Sequence, residues 1–383
     1  MNFIKYILFF LSQFFLSIVC FAQEQQYRAV LWGMNDGLSI EGANHMIKDK
    51  NGFLWVSSRM GINRFDGNTF KNYAEVGGYT AFGLIEDSLH NIWIGANGGV
   101  FRYDISADTF SNFKMLPDSL NSNQRSFPVW ATQNEVFVVH ENSKTIYAIN
   151  TRSLAKRILI KLADTDNISH IIYNEKTKSL WIPIGGGQNT YGGLLQISVT
   201  TGERAYYEWP CFKKIAKNSH LALKTLHSHL AQSMCFDQKR NCLWLNTKDG
   251  LIEFTLEDKQ FHHIDAFNDW VNLRDYNFTE EGGITLDLLS RVWVSTFPKG
   301  IFIYDPSSNS ASLPFRDSLT QVNVSSMNLN LYADRDSMIW LSYHGPKGIY
   351  QVLPSSAVVT RFHKIFDEGG KARDGNTKFC SRR

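Results

Sequence analysis

The chain has 383 residues, 43% hydrophobic and 14% aromatic, with a formal net charge of +3. That composition is too apolar for a disordered polymer, and the length suffices for a large core. The near-neutral balance and the lack of a basic block argue against nucleic acid as a partner.

In chain order, the first element is not part of a fold. Met1 to Lys5 gives a short positive start. Tyr6 to Val19 is an apolar run broken only by Ser12, Gln13 and Ser17, and it leads to the small residue Ala22 and a polar "QEQQ". Residues 1–22 therefore read as a cleavable secretory signal. The run falls short of the roughly 20 residues that a membrane span needs. Lipidation at Cys20 is disfavoured by the bulky Ile18 and Val19 before it. No later apolar run reaches spanning length. Cys211, Cys235, Cys242 and Cys380 remain, too few for a disulfide framework. Cys235 and Cys242 flank a short turn and read as buried thiols on neighbouring strands.

From Asp49 onward one pattern recurs. "DKNGFLWVSSRMGINRFD" begins at Asp49, "DSLHNIWIGANGGVFRYD" at Asp87 and "DQKRNCLWLNTKDGLIEF" at Asp237. "DLLSRVWVSTFPKGIFIYD" begins at Asp287 and "DRDSMIWLSYHGPKGIYQV" at Asp334. Two looser copies start at Gln133 and Asn174. The aromatic anchors are Trp55, Trp93, Phe137, Trp181, Trp244, Trp293 and Trp340. An Asp stands six residues before the Trp in four copies: Asp49, Asp87, Asp287 and Asp334. A Gly follows the Trp in five: Gly61, Gly99, Gly250, Gly300 and Gly348. Four of these are followed, four residues on, by an aromatic: Phe65, Tyr103, Phe254 and Tyr304.

Each copy parses into four short strands. An apolar run precedes the Asp, and the Asp with its polar neighbours makes a tight turn. The Trp run is the second strand. The Gly opens the third, where positive φ is expected. A further turn leads to the fourth. This predicts an all-β fold, a seven-bladed β-propeller of four-stranded antiparallel blades over residues 23–365, with a loose tail at 366–383. The anchors are expected to pack between blades as fold-makers, not as ligand contacts. Tyr27–Trp32 and Val358–Ile365 both suit the outer strand that closes the ring.

Connections before first strands, and between second and third strands, open on one face, which usually carries function. Three insertions fall there: residues 183–193, 209–230 and 266–283. Ser219 to Leu230 has a helical apolar period with a Ser cap.

Chemical motifs are lacking. The glycine-rich "GGGQNTYGG" has no Lys-Ser/Thr to follow it, so it is no phosphate loop. His227 and His229, and His262 and His263, lack zinc-pair spacing. "DKNG" lacks the closing Glu of a calcium loop. No GxSxG elbow occurs. The expectation is no metal, no cofactor and no catalytic set.

The repeat at Asp49, with its lead-in "NDGLSIEGANHMIKD", closely resembles the two-component regulator propeller repeat. It is similar to the periplasmic sensor regions of Bacteroidetes hybrid two-component systems. The resemblance spans Tyr27 to about Ile365 and is looser in the third and fourth copies. It implies two propellers, a β-sandwich, a membrane helix, a histidine kinase and often a receiver and DNA-binding region. It also implies a periplasmic location and recognition of glycan breakdown products. This sequence has one propeller and neither kinase boxes nor a span. It stops where an eighth repeat would begin, as expected of a truncated or frameshifted gene or an incomplete sequence. Membrane contact would come only through C-terminal regions.

The resemblance makes an oligosaccharide the expected partner, with a homodimer through propeller contacts possible. Sugar recognition wants aromatic faces and cationic or polar groups. The loop face offers Arg59, Arg125, Tyr191, Trp270, Arg274, Tyr276 and His344, with Trp270 and Arg274 sharing one insertion. Two other readings stay open: a secreted propeller lyase or hydrolase, and a purely structural dimerisation scaffold.

Overall fold

The computed structural model describes residues 27–39, 42–76, 80–97, 99–113, 115, 125–141, 143–162, 170–184, 193–208, 233–247, 250–271, 283–296, 300–315, 329–336, 338–343 and 348–354. After β1 (Tyr27–Trp32), the first unit is β2 (His45–Lys48), β3 (Leu54–Ser58), β4 (Gly61–Phe65) and β5 (Phe70–Tyr73). The second is β6 (Ala81–Glu86), β7 (Ile92–Asn97), β8 (Gly99–Asp104) and β9 (Thr109–Phe113). The third is β10 (Arg125–Ala131), β11 (Glu135–His140), β12 (Thr145–Asn150) and β13 (Lys156–Lys161). The fourth is β14 (Ile172–Asn174), β15 (Ser179–Ile184), β16 (Gly193–Ser198) and β17 (Arg204–Glu208). The fifth is β18 (Ser233–Asp237), β19 (Cys242–Thr247), β20 (Gly250–Thr255) and β21 (Phe261–His263), followed by the helix α1 (Asp265–Val271). The sixth is β22 (Ile284–Leu286), β23 (Val292–Thr296), β24 (Gly300–Asp305) and β25 (Ser310–Ser312). The seventh is β26 (Leu329–Ala333), β27 (Ile339–Tyr343) and β28 (Ile349–Pro354), with β1 as its outer strand.

Among the described residues there are thus seven four-stranded antiparallel units, and the second and third share one sheet. The first strand of each unit lies beside the first strand of the next, and β26 lies beside β2. This circuit is a β-propeller. β1 pairs antiparallel with β28 from Tyr27↔Pro354 to Trp32↔Ile349, so the N-terminal candidate supplies the closing strand. The alternative, 358–365, lies outside the described residues, as do the signal, the C-terminal tail and the helix expected at 219–230.

The core is divided between neighbouring units. Trp55 packs with Ile92, Ile94 and Tyr103 of the second unit. Trp93 packs with Val136 and Val138 of the third. Phe137 packs with Leu180 and Ile182, and Trp181 with Leu243 and Leu245. Trp244 packs with Val292 and Val294, and Trp293 with Ile339 and Leu341. Trp340 returns to the first unit and packs with Met46, Leu54 and Val56. The aromatic four residues after the Gly meets the anchor of the preceding unit. Tyr103 lies 4.8 Å from Trp55, Phe254 5.5 Å from Trp181 and Tyr304 5.8 Å from Trp244. Phe65 lies 6.1 Å from Trp340.

The Asp before each Trp does two jobs. Asp87 Oδ1 accepts the backbone N–H groups of Leu89 and Asn91, which fixes the turn. Its Oδ2 accepts the indole N–H of Trp93 at 2.8 Å. The same indole bond occurs at Asp49–Trp55 (2.8 Å), Asp287–Trp293 (3.1 Å) and Asp334–Trp340 (3.0 Å). It is stretched to 3.5 Å at Asp237–Trp244, where the spacing is seven residues. The looser copies lack it. Phe137 has no N–H to give, and Thr132 Oγ1 takes over the turn by accepting from Glu135 N. Trp181 is buried, its Nε1 has no partner, and Asn174 stands where an Asp would.

Gly61, Gly99, Gly250, Gly300 and Gly348 all have positive φ. At Gly348 a Cβ would also come within 2.1 Å of Trp32 O in the closing strand.

A buried donor left without its acceptor costs about 1–3 kcal/mol. Asp87→Ala strips partners from three such donors and should cost about 3–4 kcal/mol in urea unfolding. Asn174→Asp supplies the acceptor missing at Trp181 and should add about 1 kcal/mol. An unchanged midpoint in either variant would contradict this account of the anchor.

Candidate functional site

The first strands of all units run the same way along the channel. They start at one end, here the loop end, and finish at the Asp turns, the turn end. β3 pairs with β2 in the register His45↔Ser57, so the β3–β4 connection also belongs to the loop end.

Side-chain amides and hydroxyls lace the loop end across unit boundaries. Asn330 Nδ2 donates to Asn44 O at 2.9 Å, and Asn44 Nδ2 donates to Ala81 O at 2.7 Å. Ser342 Oγ donates to Ala43 O at 2.6 Å, and Asn246 Nδ2 donates to Ser295 O at 3.2 Å. These bonds hold the starts of β2, β6 and β26, and of the β23 partner of β22, whatever the loops above them do.

Three basic side chains sit at first-strand starts. His45 opens β2, and its Nδ1 accepts the backbone N–H of Leu84 at 3.2 Å. The ring proton is therefore on Nε2. Desolvation within the ring, with a smaller push from the charge of His170, lowers the His45 pKa to about 4, although part of the residue's surface reaches solvent. His170 stands two residues before β14, on the fourth unit. Arg125 opens β10, with Nη1 3.7 Å from Glu141 Oε2.

Arg125 is placed by an unusual junction. β10 begins by pairing with β7, Arg125↔Asn97 and Ser126↔Ala96, where β6 bulges away between Ala81 and Leu84. Gly95 permits this. A Cβ there would lie 2.5 Å from both Phe127 Cα and Ser126 O. A glycine inside a strand often marks such a backbone approach.

Of the expected ligand residues, Arg59 is exposed in the β3–β4 connection and Arg125 is exposed at the start of β10. The backbone of Trp270 is on α1, which lies against β20 and β25, a third and an outer strand. Phe267 of α1 is buried against Phe302 and Tyr304. Asn268 Oδ1 accepts Leu251 N at 2.9 Å, and its Nδ2 donates to Leu251 O at 3.0 Å. Tyr191, Arg274, Tyr276 and His344 lie outside the described residues. His45 and His170 were not among the expected residues. The signal was present in "NHMIK", but only ring topology brings the first and fourth units to a common channel.

His263 bonds Asp265 through Nδ1 at 2.7 Å and Asn268 through Nε2 at 2.9 Å, which ties β21 to α1. Among the described residues no group of three His, Cys, Asp or Glu is arranged to hold a metal ion. Cys235 and Cys242 are free thiols on β18 and β19, and burial pushes both pKa values up. At the turn end, charges are paired. Lys48 bonds Asp334 at 3.2 Å and also Asp336, and Arg335 reaches Glu86 at 2.8 Å.

A scan against protein-family models finds no match, and neither does a search of curated proteins. Solved structures share the fold. The extracellular domain of BT4673 from B. thetaiotaomicron, assigned to a hybrid two component system, matches with a TM-score of 0.60 and 16% identity over 85% of this chain and 39% of its own. That of BT3049 from the same organism, similarly assigned, matches with a TM-score of 0.60 and 19% identity over 86% of this chain and 42% of its own. A streptogramin B lyase matches with a TM-score of 0.59 and 13% identity over 85% of this chain and 97% of its own. The chain thus spans about two fifths of the two extracellular domains. Among the described residues no helix is long and apolar enough to cross a membrane.

Two outcomes follow from the geometry. Gly95→Ala should destabilise by about 2 kcal/mol, because backbone cannot yield as a flexible side chain can. A denaturation midpoint equal to that of the parent would contradict the close approach of β7 and β10. His45 binds its proton less readily folded than unfolded. Its contribution therefore favours the fold at neutral pH and is lost as pH falls from 6.5 towards about 4. His45→Gln should lose less melting temperature between pH 7 and pH 5 than the parent chain does.

Proposed function

We propose that the chain is the ligand-sensing part of a periplasmic two-component signalling system, a seven-bladed propeller that reads a glycan breakdown product at its loop end. The observation that carries this reading is the asymmetry of the ring. Among the described residues, the connections at the turn end are short hairpins, whereas the insertions at 183–193, 209–230 and 266–283 all belong to loop-end connections. A fold that varies at one end only is one whose function resides there. The resemblance of the repeat to two-component regulator propellers, and the shared fold of two B. thetaiotaomicron extracellular domains, support the signalling context.

Export by the N-terminal signal would deliver the propeller to the periplasm. Ligand binding would favour one of two arrangements of a propeller pair, and other regions of a full-length sensor would convert that shift into output. The chain itself carries out no reaction in this scheme. A second reading, an enzyme with acid and base on the same loops, is favoured by one observation: a lyase of one-propeller length shares the fold.

The test incubates the exported chain with oligosaccharide pools and follows both melting temperature and product formation. A sensor should be stabilised saturably, by about 2.7 kcal/mol at a hundredfold excess over Kd, without turnover. Product formation would instead establish the enzyme reading. Neither effect would leave only the scaffold.

A further inference from the structure

The loop end has a charge character that the turn end lacks. Among the described residues, the ionisable groups on the inner two strands of the units and their connections at this end are His45, Arg59, Arg125, His140, Lys144 and His170, with one carboxylate, Glu141. His140 is buried, and its Nδ1 accepts Ser143 N at 3.3 Å. The others reach solvent to differing degrees. At the turn end, by contrast, Lys48 faces Asp334 and Asp336, Arg335 faces Glu86, Arg240 faces Asp237 and Arg291 faces Asp287. Positive and donor groups therefore gather at one mouth of the channel without an equal complement of acids.

The individual groups are also arranged as donors. His45 uses Nδ1 as an acceptor for Leu84 N, so Nε2–H is its donor. Beside Arg125, the hydroxyl of Ser126 is buried and has no partner. Its neighbour Arg125 cannot lose its charge and presents a planar fork suited to carboxylate or sulfate. The starts of β10 and β14 belong to adjacent units, while β2 lies across the ring from β14, within the reach of charge that couples His45 to His170. A neutral sugar would leave these donors with only hydroxyl oxygens. An anionic group would satisfy charge and donors together.

We propose that the loop end of the channel selects an acidic saccharide, receiving its carboxylate or sulfate group among His45, Arg125, Ser126 and His170. This rests on the sensing reading above and narrows its ligand class.

The experiment is calorimetric titration of the full exported chain with oligogalacturonate and with chondroitin-sulfate disaccharide, against neutral xylo- and malto-oligosaccharides of matched length. An acidic probe should bind at least about tenfold more tightly than the neutral ones, and the difference should shrink with added salt. Arg125→Gln and the pair His45→Gln/His170→Gln should each weaken the acidic probe about tenfold or more, with circular dichroism and melting confirming a folded chain. Tight binding of a neutral probe, with acidic probes no better, overturns the acidic inference and leaves the sensing reading standing. Acidic binding that ignores all three substitutions overturns the assignment to this mouth. Binding of no saccharide overturns both.

Discussion

The hydrogen bond from an anchor indole to the Asp six residues before it is the interaction on which the ring depends. It joins two scales. Oδ1 of the Asp organises a turn within one unit, and Oδ2 fixes the angle of a Trp whose ring belongs to the next interface. A local turn thereby sets how one sheet meets another. The same logic explains the aromatic after the Gly: Tyr103, Phe254, Tyr304 and Phe65 each cover the anchor of the preceding unit. Where the device weakens, the geometry departs from the pattern. The third unit, with Phe137 and Thr132, is the one whose first strand merges into the sheet of the second.

Much of this was legible in the residues. Period, anchors and turn Asp residues give the units, because a radial repeat makes each copy report on the others. The five glycines carry their reason openly: all have positive φ. The closing strand had two candidates, and the register Tyr27↔Pro354 to Trp32↔Ile349 gives the role to the N-terminal one. The merged sheet was not legible. Gly95 occupies a position where other copies have Ser57, Ser295 or Ser342, so it reads as an ordinary small residue. Its role is apparent only when Phe127 and Ser126 are seen against it.

The site was legible in location more than in composition. Insertions point to the loop end without reference to coordinates. Arg59 and Arg125 were identifiable as loop-end cations, whereas His45 and His170 are separated by more than a hundred residues and meet only through the ring. Trp270 illustrates the converse. Its insertion begins with α1, which is held against β20 and β25 by Phe267 and Asn268 and not beside a first strand. An insertion on the functional end can thus start by bracing the periphery of two units.

Closure of the ring uses the same device as its interior. Tyr27, the first residue of β1, packs edge-on against Trp293 at 5.0 Å. Its hydroxyl accepts from Arg291 Nη2 at 2.6 Å, and Arg291 Nε donates to Asp287 Oδ2 at 2.7 Å, the atom that also accepts the Trp293 indole. The N-terminal strand is therefore keyed into an Asp–Trp pair of the sixth unit while its backbone completes the seventh. At its other end Trp32 donates Nε1–H to Gln351 at 3.2 Å and packs 4.6 Å from Phe65 of the first unit. One six-residue strand thus touches three successive units. Because its partners are distant in sequence, its loop-closure entropy is met last in any folding order that builds units from their own hairpins. The polar lacing from Asn330 to Asn44 and from Ser342 to Ala43 spans the same junction at the loop end. The mouth that holds His45 is consequently rigid only when the ring is shut, so closure and ligand-site geometry form one cooperative event.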